Sequence, residues 1–192
     1  MTVSFDIKKP VLAVRPVTPG TKFITMNWSY RGSNPPPGTN MANIYIFSQR
    51  QFNSVMSDMG WNDSTIDLIN DTAIISICNT DGSMVHLFKY NHDNVLNLDF
   101  DDVEYDVPEM GIVAITPRQA KLIVDFFEKH IDAKNFIVHC EAGISRSAAV
   151  ATCFMDFLHM NGIKGNSLHK NFSYHPNPRV ERLIHQELSK RN

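Results

Sequence analysis

NFIVHCEAGISRSAAVA, the stretch at residues 135–151, joins two different patterns. Residues 135–138 form a short apolar run typical of a buried strand, and the small apolar residues from Ala148 onward are typical of a buried helix. Cys140 therefore lies near a strand-to-helix turn, where backbone N–H groups and the positive end of a helix dipole converge. This arrangement favours the binding of an anion of phosphate size, and it favours a thiolate over a thiol at Cys140.

The spacing of side chains within this stretch also fits an anion site. Five residues separate Cys140 from Arg146, which lets the loop curl around one tetrahedral anion. The guanidinium of Arg146 offers a planar fork of donors that binds two anion oxygens. Gly143 allows the positive φ that such a curl requires. We expect the Ser147 hydroxyl to donate to the Cys140 sulfur and to stabilise it as a leaving group.

Residues 139–147 follow the pattern His-Cys-x-x-Gly-x-x-Arg-Ser. This pattern resembles the Cys-x5-Arg-Ser/Thr signature of the cysteine-dependent protein tyrosine phosphatases, especially their compact dual-specificity branch, and the resemblance extends from about Ile44 to the C-terminus. It implies a metal-independent phosphomonoester hydrolase that acts through a phosphocysteine, with a phosphorylated protein as substrate. The phosphate-binding loop that it implies consists of Glu141, Ala142, Gly143, Ile144, Ser145 and Arg146.

Three further assignments follow from the resemblance. It implies that His139 forms a hydrogen bond that orients the cysteine loop. The alternative is a core histidine whose ring nitrogens have hydrogen-bond partners there. It implies that Cys78 is a candidate redox partner for Cys140, the alternative being a plain buried cysteine. It also implies that the Pro-Asn turn ending at Asn177 packs beside the phosphate loop.

A phosphatase of this kind needs an acid that protonates the leaving oxygen. Residues 91–110 contain seven carboxylates and neither Lys nor Arg. In the resembling family the acid is an aspartate just after the strand that precedes the helix before the cysteine loop. This position is occupied by Asp102, with Asp101 as the alternative. The neighbouring like charges favour keeping a fraction of such a carboxyl protonated at about pH 6.

The flanking segments predict an α/β fold with a central, largely parallel twisted sheet flanked by helices, and the phosphate loop between a strand and a central helix. Strands are expected at residues 44–47, 73–78, 95–100 and 135–138, with a further candidate at 84–90. Ser48, Thr116 and Asn177 are expected to be N-caps of helices, and another helix is expected over residues 147–160. A turn of helix is also a candidate within residues 63–70.

We divide the chain into an N-terminal extension, residues 1–40, and a catalytic domain, residues 41–192. Apolar and polar residues alternate as in strands at residues 3–7 and 22–26, and residues 32–38 are typical of a proline-rich loop. It is expected to be partly flexible, and an added edge hairpin and a lid over the active site are both open interpretations.

Composition narrows the class of protein. The chain has 192 residues, 43% of them hydrophobic, and a net charge of −2. This charge provides no overall positive field for nucleic acid or an anionic membrane. The cysteines are widely spaced without a CxxC pair, which predicts neither a disulfide framework nor a zinc site. No apolar run is long enough for a membrane span. We therefore expect a cytoplasmic monomer without a metal or another cofactor.

The sequence is also consistent with two other enzyme classes. A cysteine in an anion-binding loop also fits a phosphatase of lipid or RNA 5′-phosphates, although the residues between Cys140 and Arg146 include no lysine for a polyanionic head group. A rhodanese-like sulfurtransferase also places a catalytic cysteine in such a loop. A module that binds phosphoproteins without turnover is the alternative outside the enzymes.

Overall fold

The computed structural model describes residues 41–90, 92–167 and 174–191. The predicted N-terminal extension, including its two strand-like segments, lies outside these ranges. Most of the proposed catalytic domain lies within them.

One parallel sheet forms the centre of the described chain. Its strands are β1 (Met41–Ser48), β2 (Thr72–Cys78), β3 (Val95–Asp99), β4 (Asn135–Cys140) and β5 (Lys164–Ser167). They lie in the order β3-β2-β4-β1-β5, and every strand pairing is parallel. The predicted α/β class is thereby confirmed. Strands β2 and β4 are buried along their whole length because both faces of the sheet are covered, which explains their nearly continuous apolar sequences.

In the described ranges, four α-helices cover the sheet: α1 (Gln49–Asp58), α2 (Pro117–Lys129), α3 (Arg146–Met160) and α4 (Pro178–Leu188). Helix α1 packs in one hydrophobic cluster, whereas α2, α3 and α4 share a second cluster. All three predicted N-caps are present. The Thr116 hydroxyl accepts the Gln119 N–H in a capping box, Ser48 forms a second box with Gln51, and Asn177 caps α4.

Helix α3 is the most buried of the helices, as expected from its sequence. Ten of its fifteen residues are buried. Phe154 of α3 stacks on Phe136 of β4 with ring centroids 3.7 Å apart. This packing fixes the strand before the cysteine loop and the helix after it in one rigid unit, so both ends of the loop are held in place.

Two parts of the fold differ from the sequence-based expectation. Residues 84–90 form no strand, because their backbone is held by side chains: Asp63 accepts the N–H groups of Lys89 and Tyr90, and Asn97 donates to Phe88 O at 2.7 Å. Strand β5 was not predicted, because its short KGNS sequence at the sheet edge has no apolar alternation. The candidate turn of helix within residues 63–70 is a short 3-10 turn, Ile66–Leu68.

Within the described parts of the chain, each helix is too short or too polar to cross a bilayer.

Candidate active site

The cysteine loop, residues 141–145, connects β4 to α3 at the carboxyl edge of the sheet. Because all strands are parallel, their carboxyl ends meet at this edge, which is where open α/β sheets bind ligands. Cys140 ends β4 and Arg146 begins α3, and both side chains are almost fully buried. The strand, loop and helix follow one another as the sequence predicted.

The Cys140 sulfur has two neighbours that stabilise a charged sulfur. Its Sγ lies 3.1 Å from the Ser147 hydroxyl oxygen, and the Gly143 N–H donates to it at 3.3 Å. Ser147 is itself fully buried in the first turn of α3, so its hydroxyl is held in this position. A thiolate at Cys140 can accept both hydrogen bonds. The expected contact between Ser147 and the sulfur is therefore present.

Gly143 lies against the backbone where β1 ends and α1 begins. Its φ is +70°, and a Cβ added there would lie 2.5 Å from Ser48 N and 2.7 Å from the carbonyl carbon of Phe47. The loop is also tied to α1 by the Gln49 N–H, which donates to Glu141 O at 3.1 Å. Only glycine fits this position without movement of the backbone.

We expect Gly143→Ala to lower stability and the rate of any reaction at Cys140. The added methyl group meets backbone rather than a movable side chain, so we expect a loss of about 3 kcal/mol or more in the free energy of unfolding. Displacement of the loop lowers kcat/KM by about 10²-fold. The matched control is Gly60→Ala, since Gly60 has a φ of +68° but no atom near its missing Cβ. Urea unfolding and initial rates measure both effects; equal losses in the two variants would contradict the clash.

Arg146 is anchored by main-chain carbonyl groups at the carboxyl ends of two neighbouring strands, β2 and β3. Its Nη1 donates to Phe100 O at 2.7 Å and lies 3.5 Å from Cys78 O. Its Nη2 lies 3.9 Å from Glu141 Oε2, and that carboxylate also accepts from Asn79 Nδ2 at 3.0 Å. Its buried Nε has no hydrogen-bond partner among the described residues. The guanidinium is therefore fixed in place while part of its donor capacity is unused.

Asp102 connects the acidic loop to the cysteine loop. Its Oδ1 accepts from the Ser145 hydroxyl at 2.7 Å and from Asn177 Nδ2 at 2.8 Å. The turn before α4 is itself fixed to the cysteine loop, because the His175 N–H donates to Ile144 O at 3.1 Å. The expectation that this turn packs beside the loop is confirmed. The sequence identified Asn177 as a helix cap but gave no signal that it also holds Asp102.

Asp101, the alternative acid, has a different environment. It accepts from the Thr80 N–H at 3.1 Å, from the Thr80 hydroxyl and from the Val113 N–H at 2.8 Å. Burial raises the pKa of Asp101, but these hydrogen bonds and the nearby Arg146 outweigh burial and hold it below its ordinary value. Asp101 therefore stays ionised and fixes the loop, which leaves Asp102 as the better candidate for proton donation.

Among the described residues, His139 has no partner for the hydrogen bond that the resemblance implied. Its side chain is fully buried and stacks on Phe52 of α1 with ring centroids 3.9 Å apart. Neither ring nitrogen has a hydrogen-bond partner among the described residues. Burial, with smaller effects from His86 and Arg146, lowers the pKa of His139 to about 3, so the ring is neutral. Side chains alternate along β4, so His139 and Cys140 point to opposite faces of the sheet.

Cys78, the candidate redox partner, lies on the same face as His139. Ser76 pairs with His139 in the sheet register, and the Cys78 side chain lies on the Ser76 side of β2, with its Sγ 3.4 Å from His86 Nδ1. Burial, and then the charge of Asp99, raises the pKa of Cys78 to about 11. A disulfide with Cys140 would therefore require a local rearrangement, and the redox pairing stays a prediction.

No model of a protein family matches the chain, and a comparison with curated proteins finds no significant match. The interpretation of the site therefore depends on its geometry and on the resemblance of its signature.

Proposed function

We propose that the chain is a phosphomonoester hydrolase that acts through a phosphocysteine at Cys140. The single observation that supports this most strongly is the hydrogen bond between Asp102 and Ser145. It places a carboxyl group at the same loop that carries the nucleophile and the buried guanidinium. These are the three groups that phosphoryl transfer to a cysteine requires.

In the first step, the Cys140 thiolate attacks phosphorus in line with the ester oxygen. The S–P bond forms, the P–O bond to the leaving group breaks, and Asp102 gives its proton to the leaving oxygen. Arg146 and the backbone N–H groups of residues 141–146 stabilise the charge on the remaining phosphoryl oxygens. Asn177 and Ser145 act as positioning residues for the Asp102 carboxyl.

In the second step, a water molecule attacks the phosphocysteine. Asp102, now ionised, accepts the proton of this water while the new P–O bond forms and the S–P bond breaks. Ser147 donates to the departing sulfur, from which its hydroxyl oxygen is 3.1 Å away. Inorganic phosphate leaves, and the thiolate and the protonated acid are regenerated. Each transferred proton has a donor and an acceptor within this scheme, which needs no metal ion.

The proposed substrate class is a phosphorylated protein, with tyrosine or dual specificity, and it follows from the resemblance. The loop residues between Cys140 and Arg146 include one acidic side chain, Glu141, and no Lys or Arg. This composition disfavours a polyphosphorylated lipid head group. Ile144 is 37% exposed on the same loop and offers an apolar contact to a peptide or an aromatic ring.

The direct test is hydrolysis of p-nitrophenyl phosphate by the full chain in EDTA and reductant, followed by a panel of phosphopeptides, phosphoinositides and RNA with a 5′-phosphate. We expect turnover in EDTA and higher kcat/KM with phosphopeptides than with the other two classes. A folded protein that is inactive on all of these but transfers sulfur from thiosulfate to cyanide would contradict the proposal.

Asp102→Asn tests the assignment of the acid. We expect kcat/KM, which reports the first chemical step, to fall by about 10²–10⁴-fold on phenyl phosphate, because its leaving oxygen is strongly basic and needs the proton. The loss on p-nitrophenyl phosphate should be smaller, because nitrophenolate leaves readily without one. Glu104→Gln removes an exposed negative charge from the same loop and is the control. Equal losses on both substrates would argue against proton donation by Asp102.

We expect Asp101→Asn to lower the free energy of unfolding at pH 7 and to change how this free energy depends on pH. The pKa of Asp101 is depressed in the folded chain, so its ionised form contributes stability above the unfolded value of 3.8, and this contribution is lost as pH falls. The wild type should therefore be more stable than the variant at pH 7, with the difference narrowing below about pH 5. Urea unfolding across this range measures it. A difference that stays constant with pH would contradict the role of the charge.

A further inference from the structure

A group of three potential metal ligands lies beside the carboxyl ends of β2 and β3. His86 Nδ1 lies 3.4 Å from Cys78 Sγ, and His86 Nε2 lies 3.0 Å from Asp99 Oδ1. One ligand atom from each of the three residues lies within 4.8 Å of the others. The ligands are eight and thirteen residues apart in sequence, so their spacing gave no signal of a metal site.

The burial of this group changes from one ligand to the next. Cys78 is 1% exposed, the His86 side chain is 15% exposed and that of Asp99 is 63% exposed. An ion can therefore enter from the Asp99 side and reach a sulfur and an imidazole nitrogen in the interior. The open side leaves room for a water ligand, as in sites with three protein ligands.

We propose that Cys78, His86 and Asp99 form a binding site for Zn²⁺ or a divalent ion of similar preference. Thiolate sulfur, imidazole nitrogen and carboxylate oxygen are the three donor types that Zn²⁺ takes in proteins, and a thiolate disfavours Mg²⁺ and Ca²⁺. The proposal concerns ion binding behind the cysteine loop and does not depend on the proposed phosphatase activity.

The hydrogen bonds of His86 indicate which of its ring nitrogens would bind the ion. We assign His86 Nε2 to the ion because it already faces Asp99, and Nδ1 is then held by the Ser76 hydroxyl, whose oxygen is 2.6 Å away. Such a hydrogen bond to the second ring nitrogen commonly fixes a metal-binding histidine. The Cys78 thiol turns from Nδ1 toward the ion, forms an S–Zn bond and releases its proton to solvent. No oxidation or reduction is involved.

The position of the site gives the ion a structural connection to Arg146. Cys78 O lies 3.5 Å from Arg146 Nη1, and Phe100, which follows Asp99, accepts from the same nitrogen at 2.7 Å. An ion bound here joins the ends of β2 and β3 that supply both carbonyls. The ion is separate from the chemical steps, so activity in EDTA is compatible with its binding.

Cobalt titration tests the site, because Co²⁺ bound by a thiolate gives a charge-transfer absorption band that hydrogen bonding alone cannot produce. The full chain carrying Cys140→Ser is used, so that the cysteine-loop sulfur cannot bind the ion. We expect a band that saturates at one Co²⁺ per chain and disappears when Zn²⁺ is added. Adding Cys78→Ser should remove the band, and adding Cys153→Ser, which changes another buried thiol, should leave it unchanged.

Asp99→Asn, in the same Cys140→Ser background, keeps the proposal testable even if Cys78→Ser impairs folding. Because Asp99 is mostly exposed, the variant should fold, as circular dichroism would verify, and its apparent affinity for Co²⁺ should fall at least about 10-fold. No charge-transfer band in the folded Cys140→Ser chain would overturn the site. A band that persists after Cys78→Ser, or an affinity unchanged by Asp99→Asn, would also overturn it.

Discussion

Cys140→Ser is expected to abolish phosphate-ester hydrolysis, with a loss in kcat of at least about 10⁴-fold. A serine hydroxyl in the same place remains protonated at neutral pH and is a poor nucleophile toward phosphorus. No other thiol of the chain substitutes for it, because burial raises the pKa of Cys78 and of Cys153. The exchange of one atom leaves the packing of β4 nearly unchanged, so circular dichroism and the unfolding midpoint should match the wild type.

Cys153→Ser is the control for this result. Cys153 is buried in α3, seven residues after Arg146, and it has no role in the proposed chemistry. Its replacement should cost stability but leave kcat/KM within about twofold, since surface and core changes remote from a site act chiefly on stability. Turnover by Cys140→Ser at a rate close to that of the wild type would show that another group is the nucleophile.

Arg146→Lys should lower kcat/KM by about 10²–10³-fold. Lysine keeps the positive charge but lacks the planar fork of donors. In the wild type one guanidinium nitrogen is occupied by Phe100 O, while Nε has no partner among the described residues. The three donors of an ammonium group diverge from one nitrogen, so they cannot reproduce the paired, parallel hydrogen bonds of the guanidinium to two phosphoryl oxygens. The loss should therefore appear in kcat as well as in KM.

The matched control for Arg146→Lys is Arg118→Lys, at an exposed position in the first turn of α2. Initial rates over a range of substrate concentrations separate kcat from KM for both variants. Inhibition by inorganic phosphate or vanadate gives an independent measure of anion binding and should weaken only for Arg146→Lys. If Arg146→Lys retained the kcat of the wild type, the guanidinium would serve only to fix the strand ends.

Features of the fold with strong local signals could be predicted from the sequence. The β4–loop–α3 unit has an apolar strand, a glycine turn and an apolar helix in succession, and Thr116 with Gln119 forms the expected capping box. Strand β5 had no such signal, because its formation depends on the neighbouring β1 rather than on its own residues. Residues 84–90 show the converse. Their local pattern resembles a strand, but side chains from elsewhere in the chain bind their backbone instead.

The proximity of Cys140 and Arg146 could be predicted from the sequence, but the supporting contacts of the candidate site could not. Cys140 and Arg146 lie within one short motif, so their proximity follows from the sequence. The hydrogen bond from Asn177 to Asp102 joins residues 75 positions apart, and no local pattern reports it. The position of His139 against Phe52 follows from the alternation of side chains along β4, which the motif pattern does not report.

The most direct test of the account is to identify the phosphorylated residue during turnover. Asp102→Asn is mixed with p-nitrophenyl phosphate, since this substrate phosphorylates the enzyme without much help from an acid while the later attack by water is slowed. Rapid quenching, digestion and peptide mass analysis then locate the phosphoryl group. The account predicts an early burst of nitrophenolate and a single phosphoryl group on Cys140. Steady release of nitrophenolate with no phosphorylated peptide, or with the phosphoryl group on another residue, would contradict it.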